Sequence, residues 1–413
     1  MSEIIVQKFG GTSVGSVERI GIVANIVAEA SKTKKIIVVV SAMGGETNKL
    51  VKLANHFGEN PDKREFDALV STGETVSSAL LAMALHSKGI KAKSYSASQI
   101  SMRTTDSFSK AKILDVDADK ILKVVDDNTI PIITGFQGIT EGGDITTLGR
   151  GGSDTTAVAI AAQVGAKRCD IYTDVDGVYT TDPRVVLDAR LLKTVTFEEM
   201  LELSSLGAKV LQIRSVEFAG KYRVPLRVLS SFEEGDGTLI SFEGDKAMEE
   251  PSIAGIAFER DEAKLTVTGV PDVPGIAYNV IGPVSEAGIE VDVIVQNAAA
   301  DGTNDITFTV KREESDRAKS ILENISGSLQ ARAVHLDAKI CKVSLVGVGM
   351  RSHAGIASKM FKALAQESIN IQIITTSEIK ISVVIEEKYL ELAVRALHSA
   401  FELSDPDGQH SSS

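Results

Sequence analysis

Short apolar runs recur along the first half of the chain, and each ends in glycine and polar residues. The runs are Ile4 to Phe9, Ile36 to Val40, Ala68 to Val70, Ile130 to Thr134, Cys169 to Tyr172 and Val224 to Val228. Stretches with helical periodicity separate them, at Val17 to Ala30, Val76 to Leu85, Ala157 to Val164 and Phe197 to Ser204, and another helix is expected to open at Gly207 to Leu211. Strands that alternate with helices predict an α/β fold with a mostly parallel sheet sandwiched by helices.

The polar clusters at the ends of these runs are expected to meet in space. They are Lys8 to Ser13, Ser41 to Asn48, Ser71 to Glu74, Gly135 to Gly138 and Thr173 to Arg184. Ligands of parallel α/β sheets bind beyond the carboxyl ends of the strands. We therefore expect these clusters to line one crevice.

The second half of the chain contains an internal repeat with a spacing of 80 residues. Gly275-Ile276-Ala277 recurs as Gly355-Ile356-Ala357 (355 − 275 = 80), and Ile289 to Ile294 recurs as Ile369 to Ile374. Helical patterns at Ser315 to Ile325 and Lys388 to Phe401 close the two copies. The order of these patterns predicts two ferredoxin-like βαββαβ domains. Such copies either sense small molecules, through loops at Asp272 to Ala277 and His353 to Ala357, or serve only for dimerisation.

Changes in composition give the expected domain boundaries. The stretch from Glu243 to Pro251 is charged and loop-like, and Ile253 to Phe258 is a strand-like run that is expected to complete the sheet of the second copy. We therefore expect a first domain at 1–245, a βαββαβ domain at 264–337, and a second one built from 250–263 and 338–406. The polar end of the chain, 407–413, is predicted to be a disordered tail.

Composition excludes several classes of protein. A chain of 413 residues with 43% hydrophobic residues has room for two or three domains. The net charge of −12 argues against nucleic-acid binding, and no apolar run approaches the roughly 20 residues of a membrane span. No signal peptide is evident, and Cys169 and Cys341 fit no metal-ligand spacing. We therefore expect a cytoplasmic protein with reduced thiols.

Two glycine-rich turns carry the candidate chemistry. Gly149-Arg150-Gly151-Gly152-Ser153-Asp154 precedes a predicted helix, where free amides and the helix dipole favour an anion and Arg150 can grip a carboxylate or phosphate. Lys8 precedes Gly10-Gly11 in a strand–turn–helix pattern that presents amides to a phosphate. For the stretch at 149–154, the alternative is a glycine-rich turn with a surface arginine. For the turn after Lys8, the alternative is an ordinary structural turn between a strand and a helix.

Other templates are excluded. The sequence contains neither a P-loop nor the catalytic and metal-binding loops of protein kinases. Asp174, Asp176 and Gly177 have the spacing of a calcium loop, but the later acidic ligands are missing.

Taken together, these motifs resemble the aspartokinase family, which has the amino-acid kinase fold followed by two ACT domains. The resemblance rests on Lys8 to Ser13, Gly149 to Asp154 and Tyr172 to Arg184, and it covers nearly the whole chain. One departure is Gly45-Glu46, where many relatives carry Asp-Thr; Thr47 still matches.

The resemblance implies specific roles. Lys8, Arg150 and Asp154 would be catalytic. Aspartate would be bound by Thr47, Glu74, Arg150, Gly151, Gly152 and Ser153, with Glu74 on the α-ammonium. ATP would contact Lys8, Phe9, Gly10, Gly11, Thr173, Asp174, Tyr179, Arg184 and Lys209. Mg²⁺ would be held mainly by the ATP phosphates, without a dedicated protein metal site. For Lys209, an ordinary solvated lysine is the alternative.

The implied reaction is Mg-ATP-dependent phosphorylation of the L-aspartate β-carboxylate to 4-phospho-L-aspartate, the first step of lysine, threonine and methionine biosynthesis. Threonine, lysine or both would inhibit by feedback at Asp272, Gly275, Ile276, Ala277, Gln296, Asn370, Ile371, Ser377 and Glu378. The expected assembly is a homo-oligomer, either a dimer through the ACT domains or an α2β2 form with a regulatory chain started at Met248. Alternatives are a kinase of the same fold acting on glutamate or N-acetylglutamate, and a catalytically silent amino-acid sensor.

Overall fold

The computed structural model describes residues 3–58, 60–206, 210–242, 252–298, 301–350 and 355–404. The chain divides into two compact units. The first comprises Met1–Tyr179, Leu191–Ser205 and Lys209–Met248, and the second comprises Thr180–Arg190, Leu206–Ala208 and Glu249–Ser413. The predictions for Lys209, His353, Met248 and the 407–413 tail lie outside the described residues.

A mostly parallel sheet forms the centre of the first unit. Its strands are β1 (Ile4–Phe9), β2 (Lys35–Val40), β3 (Ala92–Tyr95), β6 (Ile130–Thr134), β9 (Arg168–Thr173), β10 (Thr194–Thr196), β11 (Leu226–Ser230) and β12 (Thr238–Ser241). Within the described residues their order is β10-β12-β11-β9-β1-β2-β6-β3, and only the β11–β12 pair is antiparallel. The predicted α/β fold class is confirmed.

The first unit also contains helices, most of which have one apolar face. They are α1 (Val17–Ser31), α2 (Glu46–Asn55), α3 (Lys63–Val70), α4 (Thr72–His86), α5 (Ala118–Asp126), α6 (Gly152–Gln163), α7 (Phe197–Ser205) and α8 (Ile213–Tyr222). Helix α6 is instead buried on nearly all sides. In α1, the Ser16 side chain accepts a hydrogen bond from the Arg19 amide and caps the helix. The buried face of α1, Ile20 to Val27, joins a core with β1, β2 and α4.

The predicted strand at Ala68 to Val70 is wrong, because these residues end helix α3. Asp62 caps that helix by accepting hydrogen bonds from the amides of Arg64 and Glu65. Three apolar residues are too few to distinguish a strand from the buried turn of a helix. The helical stretch 63–86, formed by α3 and α4, is long and apolar enough to cross a membrane by length and composition alone. Leu81 and Leu85 of α4 are buried in the core of the first unit, as in the core helix of a globular domain.

A second small sheet in this unit was not predicted. It contains β4 (Arg103–Thr104), β5 (Ile113–Asp115), β7 (Gln137–Ile139) and β8 (Ile145–Thr147), in the order β5-β4-β7-β8. Strands of two or three residues are too short to show an alternating pattern. The small sheet matters because β8 leads into the glycine loop at 149–152.

The second unit is built around one antiparallel sheet. Its strands are β13 (Ser252–Pro271), β14 (Val291–Ala298), β15 (Thr303–Lys311), β16 (Ala333–Val348), β17 (Ile371–Thr376) and β18 (Lys380–Glu386), and its helices are α9 (Ile276–Glu286), α10 (Ser315–Ile325), α11 (Ile356–Gln366) and α12 (Leu390–Ala400). The strand order in the described residues is β14-β15-β13-β16-β18-β17. Short 3₁₀ turns, Arg312–Glu314 and Glu387–Tyr389, precede α10 and α12.

Both repeats share the two central strands of this sheet. The first part of β13 pairs with the end of β16, Ser252 opposite Val348, whereas its later part pairs with the beginning of β16, Thr268 opposite Ala333. Lys342 of β16 is buried and forms ion pairs with Glu262 of β13, at 2.8 Å, and with Asp292 of β14. The first repeat therefore has the βαββαβ order along the chain, whereas the sixth strand of the second repeat is the first part of β13, which precedes its other elements in sequence.

Candidate active site

A buried ion pair lies at the centre of the candidate site. The Lys8 ammonium, near the end of β1, lies 2.5 Å from a carboxylate oxygen of Asp154 in the first turn of α6, and both residues are 8% exposed. Parallel strand β1 ends beside the start of α6, where the helix dipole favours negative charge. The ion pair keeps a cation within a few ångströms of the helix N-terminus.

The glycine loop before α6 requires the glycines that it contains. Gly149 and Gly151 have φ angles of +78° and +66°, a conformation that only glycine adopts readily. A Cβ on Gly151 would lie 2.3 Å from the Gln212 side chain. Arg150, between them, is exposed, and no carboxylate in the described part of the chain pairs with it. Its guanidinium can therefore bind an anion.

A cavity of about 290 Å³ brings the predicted catalytic and substrate residues together. Its lining includes Lys8, Gly11, Thr47, Glu74 and the whole loop from Gly149 to Asp154, together with Ser41, Ala42, Met43, Gly44, Gly45 and Phe136. These residues come from strand ends, turns and the first turns of α2, α4 and α6, spread over nearly 150 positions of sequence. The predicted convergence on one crevice is therefore observed for these clusters, while the role of each residue stays a prediction.

Glu74 is a buried carboxylate that is only half satisfied. Its Oε1 accepts a hydrogen bond from the Ala42 amide at 3.1 Å. Its Oε2 has no partner among the described residues. Burial raises the pKa of Glu74 to about 7, and the hydrogen bond from Ala42 opposes that change. A substrate ammonium bound in the cavity would supply the missing partner.

The predicted ATP residues follow two neighbouring strands. Gly10 leaves room for Lys8, because a Cβ there would lie 3.3 Å from the Lys8 ammonium. The Phe9 side chain is fully buried and stacks on Tyr172 at 4.6 Å, so only its backbone is available to a ligand. At the end of β9, the Thr173 hydroxyl donates to Asp174 at 3.1 Å.

Two more predicted ATP residues lie further along the chain. The Tyr179 hydroxyl donates to Asp176 at 2.9 Å, and burial together with this bond raises the Tyr179 pKa to about 12. Arg184 belongs to the second compact unit, where it is exposed and pairs with Asp182. The ATP role of Arg184 stays a prediction.

The predicted effector residues lie in two groups of the second unit. Gly275 has a φ of +91° at the start of α9, and Asp272 accepts a hydrogen bond from Asn304 at 2.9 Å. Ala277 and Gln296 are exposed, whereas Ile276 is buried in the core, so its side chain serves packing. Asn370 is exposed and Ile371 half-buried at the start of β17. Ser377 and Glu378 form the turn between β17 and β18.

Phe136 belongs to the Gly135–Gly138 cluster that was expected at the crevice, and it lines the cavity with a φ of +69°, an unusual conformation for a non-glycine residue. Sequence reasoning missed two residues behind the cavity wall. Asp67 and Arg214 contact the segment that leads into the glycine loop. Neither belongs to a glycine or strand-end motif, so no pattern could have identified them.

Comparisons with known proteins define the class first. The profile of the Amino acid kinase family matches residues 3–230, and an ACT domain profile matches residues 343–401. The chain is therefore an amino-acid kinase with a C-terminal ACT domain.

Closer relatives define the family. An aspartate kinase of Pseudomonas putida is 61% identical over 407 residues, covering 98% of this chain and 99% of that protein. E. coli aspartokinase III, solved with aspartate and ADP in its R-state, has a TM-score of 0.81 and 28% identity, covering 97% of this chain and 100% of that one. The same enzyme solved with lysine and aspartate in its T-state has a TM-score of 0.78 and 28% identity, covering 96% and 99%. The chain belongs to the aspartate kinase family and is a kinase.

Proposed function

We propose that this enzyme transfers the γ-phosphoryl group of Mg-ATP to the β-carboxylate of L-aspartate and so forms 4-phospho-L-aspartate. The observation that carries the proposal is that Lys8, Glu74, Arg150 and Asp154 border one cavity. Two cations and two carboxylates match the charges of a zwitterionic amino acid beside a phosphate. The E. coli relative solved with aspartate and ADP supports aspartate and an adenine nucleotide as the ligands.

The residues present fit a nucleotide phosphate. A Cβ on Gly11 would lie 3.1 Å from the Ala42 carbonyl oxygen, and one on Gly10 would crowd Lys8, so glycines keep this turn open. Lys8, Gly10 and Gly11 would hold the phosphates, and Thr173, Asp174, Tyr179, Arg184 and Lys209 would contact the rest of ATP. Among the described residues no cluster of three or more His, Cys, Asp or Glu is arranged to hold a metal. Mg²⁺ would be held mainly by the phosphates of ATP, since Mg²⁺ in such sites keeps few protein ligands.

Positioning is the main chemical task of the site. The β-carboxylate has a pKa of about 4 and is ionised at neutral pH, so its attack on phosphorus requires no general base. Lys8 would neutralise charge between the carboxylate and the phosphate while Asp154 orients the ammonium. Arg150 and the amides of Gly151 to Ser153 would bind a substrate carboxylate, Thr47 would add a hydroxyl contact, and Glu74 would bind the α-ammonium.

The wider proposal includes regulation, assembly and pathway. The enzyme would catalyse the first step of lysine, threonine and methionine biosynthesis in the cytoplasm. Lysine, threonine or both would inhibit it at two ACT domains, 264–337 and 250–263 with 338–406. The E. coli relative solved with lysine supports an amino-acid effector. The chain would assemble as a homodimer through these domains, or with a regulatory chain started at Met248.

An acyl-phosphate trapping assay tests the proposal. The full-length protein is incubated with Mg-ATP and hydroxylamine, and hydroxamate formation is measured with aspartate, glutamate or N-acetylglutamate as acceptor. We expect turnover with aspartate and little with the other two acids. Turnover with glutamate or N-acetylglutamate alone would assign the alternative substrate. The absence of turnover with all three would favour the silent sensor.

A further inference from the structure

The loop that carries Arg150, residues 149–153, is held by two charged side chains that do not line the cavity. We refer to residues 149–153 as the substrate loop. The first of the two side chains is Asp67, on α3, which is completely buried. No lysine, arginine or histidine of the described residues forms an ion pair with it. A buried carboxylate without a cation is costly unless hydrogen-bond donors surround it.

The donors to Asp67 come from two segments that flank the substrate loop. The Thr147 amide and hydroxyl donate to its two oxygens at 2.7 and 3.0 Å, and the Ser109 amide and hydroxyl do so at 2.7 and 2.9 Å. Thr147 ends β8, two residues before Gly149. The Ser109 carbonyl oxygen is 3.1 Å from the position of a Cβ on Gly149. Asp67 therefore fixes both the entrance of the loop and the backbone against which it packs.

Arg214, on α8, holds the same backbone from a different element. Its guanidinium donates to the Leu148 carbonyl at 2.5 Å and to the Ala111 carbonyl at 2.8 Å. Burial lowers the pKa of this half-buried arginine, so the two hydrogen bonds are made at a desolvation cost. Gln212, at the start of the same helix, packs directly against Gly151.

We propose that Asp67 and Arg214 are positioning residues that fix the substrate loop and thereby aim Arg150 at the substrate carboxylate. The carboxylate's identity rests on the proposed function, but the hold on the loop does not. Displacement of a binding group by about 1 Å reduces rates on the order of 10²-fold. Loss of either side chain is therefore expected to weaken aspartate binding specifically.

The test uses conservative variants of the full-length enzyme. Asp67→Asn keeps the size of the side chain but removes an acceptor, and Arg214→Lys keeps the charge but removes the planar fork. We expect each to raise KM for aspartate on the order of 10- to 100-fold while KM for Mg-ATP is unchanged. Matched controls are Asp62→Asn at the N-cap of α3, where Asn caps about as well as Asp, and Lys221→Gln on α8. Both lie outside these contacts and should leave both constants unchanged.

Hydrogen exchange provides a readout that does not depend on the substrate. Amides at 149–153 should exchange faster in Asp67→Asn and Arg214→Lys than in the wild type and controls, with the β1 and β2 amides unaffected. Unchanged exchange in the loop would overturn the proposal, as would equal increases in KM for aspartate and Mg-ATP. The loop amides could exchange faster in the variants although the wild-type enzyme does not phosphorylate aspartate. That result would support the role of Asp67 and Arg214 in fixing the loop and would overturn the proposed substrate. Arg214→Lys keeps the test decisive if Asp67→Asn does not fold.

Discussion

At the scale of single residues, the two cavity carboxylates differ in whether the protein supplies a cationic partner. Asp154 has Lys8 at 2.5 Å. Glu74 has one backbone amide, and burial raises its pKa to about 7. A buried carboxylate with an unsatisfied oxygen destabilises the empty protein, so its presence in the cavity favours a ligand that compensates for it.

Removing Lys8 should slow phosphoryl transfer more than it weakens binding. We expect Lys8→Ala to lower kcat on the order of 10²–10³-fold, the effect of losing one preorganised charge at a transition state. Steady-state kinetics below the melting temperature of the variant measure this effect. Lys32→Ala, on the exposed end of α1, is the control for loss of a lysine. Near wild-type turnover of Lys8→Ala would show that Lys8 is not catalytic.

The Glu74 carboxylate should control the pH dependence of aspartate binding. Only the ionised form attracts an ammonium, so kcat/KM for aspartate should fall as pH drops below about 7, the raised pKa of Glu74. Glu74→Gln should raise KM for aspartate and flatten this part of the profile. The same fall in the Gln variant would assign the titration to another group.

The same shift has a consequence for stability. The folded pKa of this acid lies above its ordinary value of 4.5. The native state is therefore penalised progressively as pH rises above that value, and fully above about 7. Glu74→Gln should consequently raise Tm of the ligand-free enzyme at pH 8 and have little effect at pH 4.5.

Part of this site was predictable residue by residue. Lys8, Arg150 and Asp154 were visible because glycine turns at strand ends have a recognisable composition and a known place in parallel sheets. Asp67 and Arg214 were not, because their effect depends on which distant carbonyls and amides they reach. Phe9 shows that a position next to the glycine turn in sequence does not place a side chain in the cavity, because the Phe9 side chain is buried in the core.

At the scale of elements, the start of α6 connects the backbone to the chemistry. Gly151 caps the helix in a left-handed conformation against Gln212, and Asp154 follows in the first turn. The chain must turn here so that free amides and Arg150 border the same cavity.

Replacing Gly151 with alanine should therefore disturb substrate binding. Gly151→Ala combines a left-handed backbone, which costs about 1–2 kcal/mol, with a clash against Gln212. Gly165→Ala is the matched control, because Gly165 has a φ of +61° but open space around it. We expect both variants to lose stability in chemical denaturation, and only Gly151→Ala to raise KM for aspartate. Adding Gln212→Ala should partly restore KM; an unchanged KM in Gly151→Ala would contradict the clash.

Elements were predictable where the apolar pattern was long enough. Sequence identified the strands at 4–9 and 36–40 and the helix from Val17. Their apolar runs are long enough for the pattern of a strand or a helix to be recognised. The misassigned segment at 68–70 and the two- to three-residue strands β4, β5, β7 and β8 fall below that length. The β4–β5 and β7–β8 pairs are local, and the single bridge between Arg103 and Ile139 joins them into one sheet. Pairing of this kind depends on tertiary context, which sequence does not display.

At the scale of the whole molecule, the acidic chain must bind anions through a local arrangement of charge. The net charge is −12, yet the cavity presents Lys8 and Arg150 together with glycine amides. Anionic substrates would therefore be attracted only at short range, and salt should screen the exposed Arg150 more than Lys8, which is 8% exposed.

Amino-acid effectors should weaken aspartate binding through a coupling between sites. Lysine or threonine is expected to bind the full-length enzyme in calorimetry and to raise KM for aspartate, and a coupling of about 1–3 kcal/mol corresponds to roughly 5- to 150-fold. Because linkage is reciprocal, saturating aspartate should weaken effector binding by the same factor. Gln296→Ala and Asn370→Ala then separate the two candidate sites, because the variant that abolishes binding identifies the repeat in use. Lys319→Ala on α10 is the control. If neither amino acid gives a heat of binding, feedback inhibition by lysine or threonine is ruled out. If one binds but KM for aspartate does not change, the repeats bind amino acids without any coupling to catalysis.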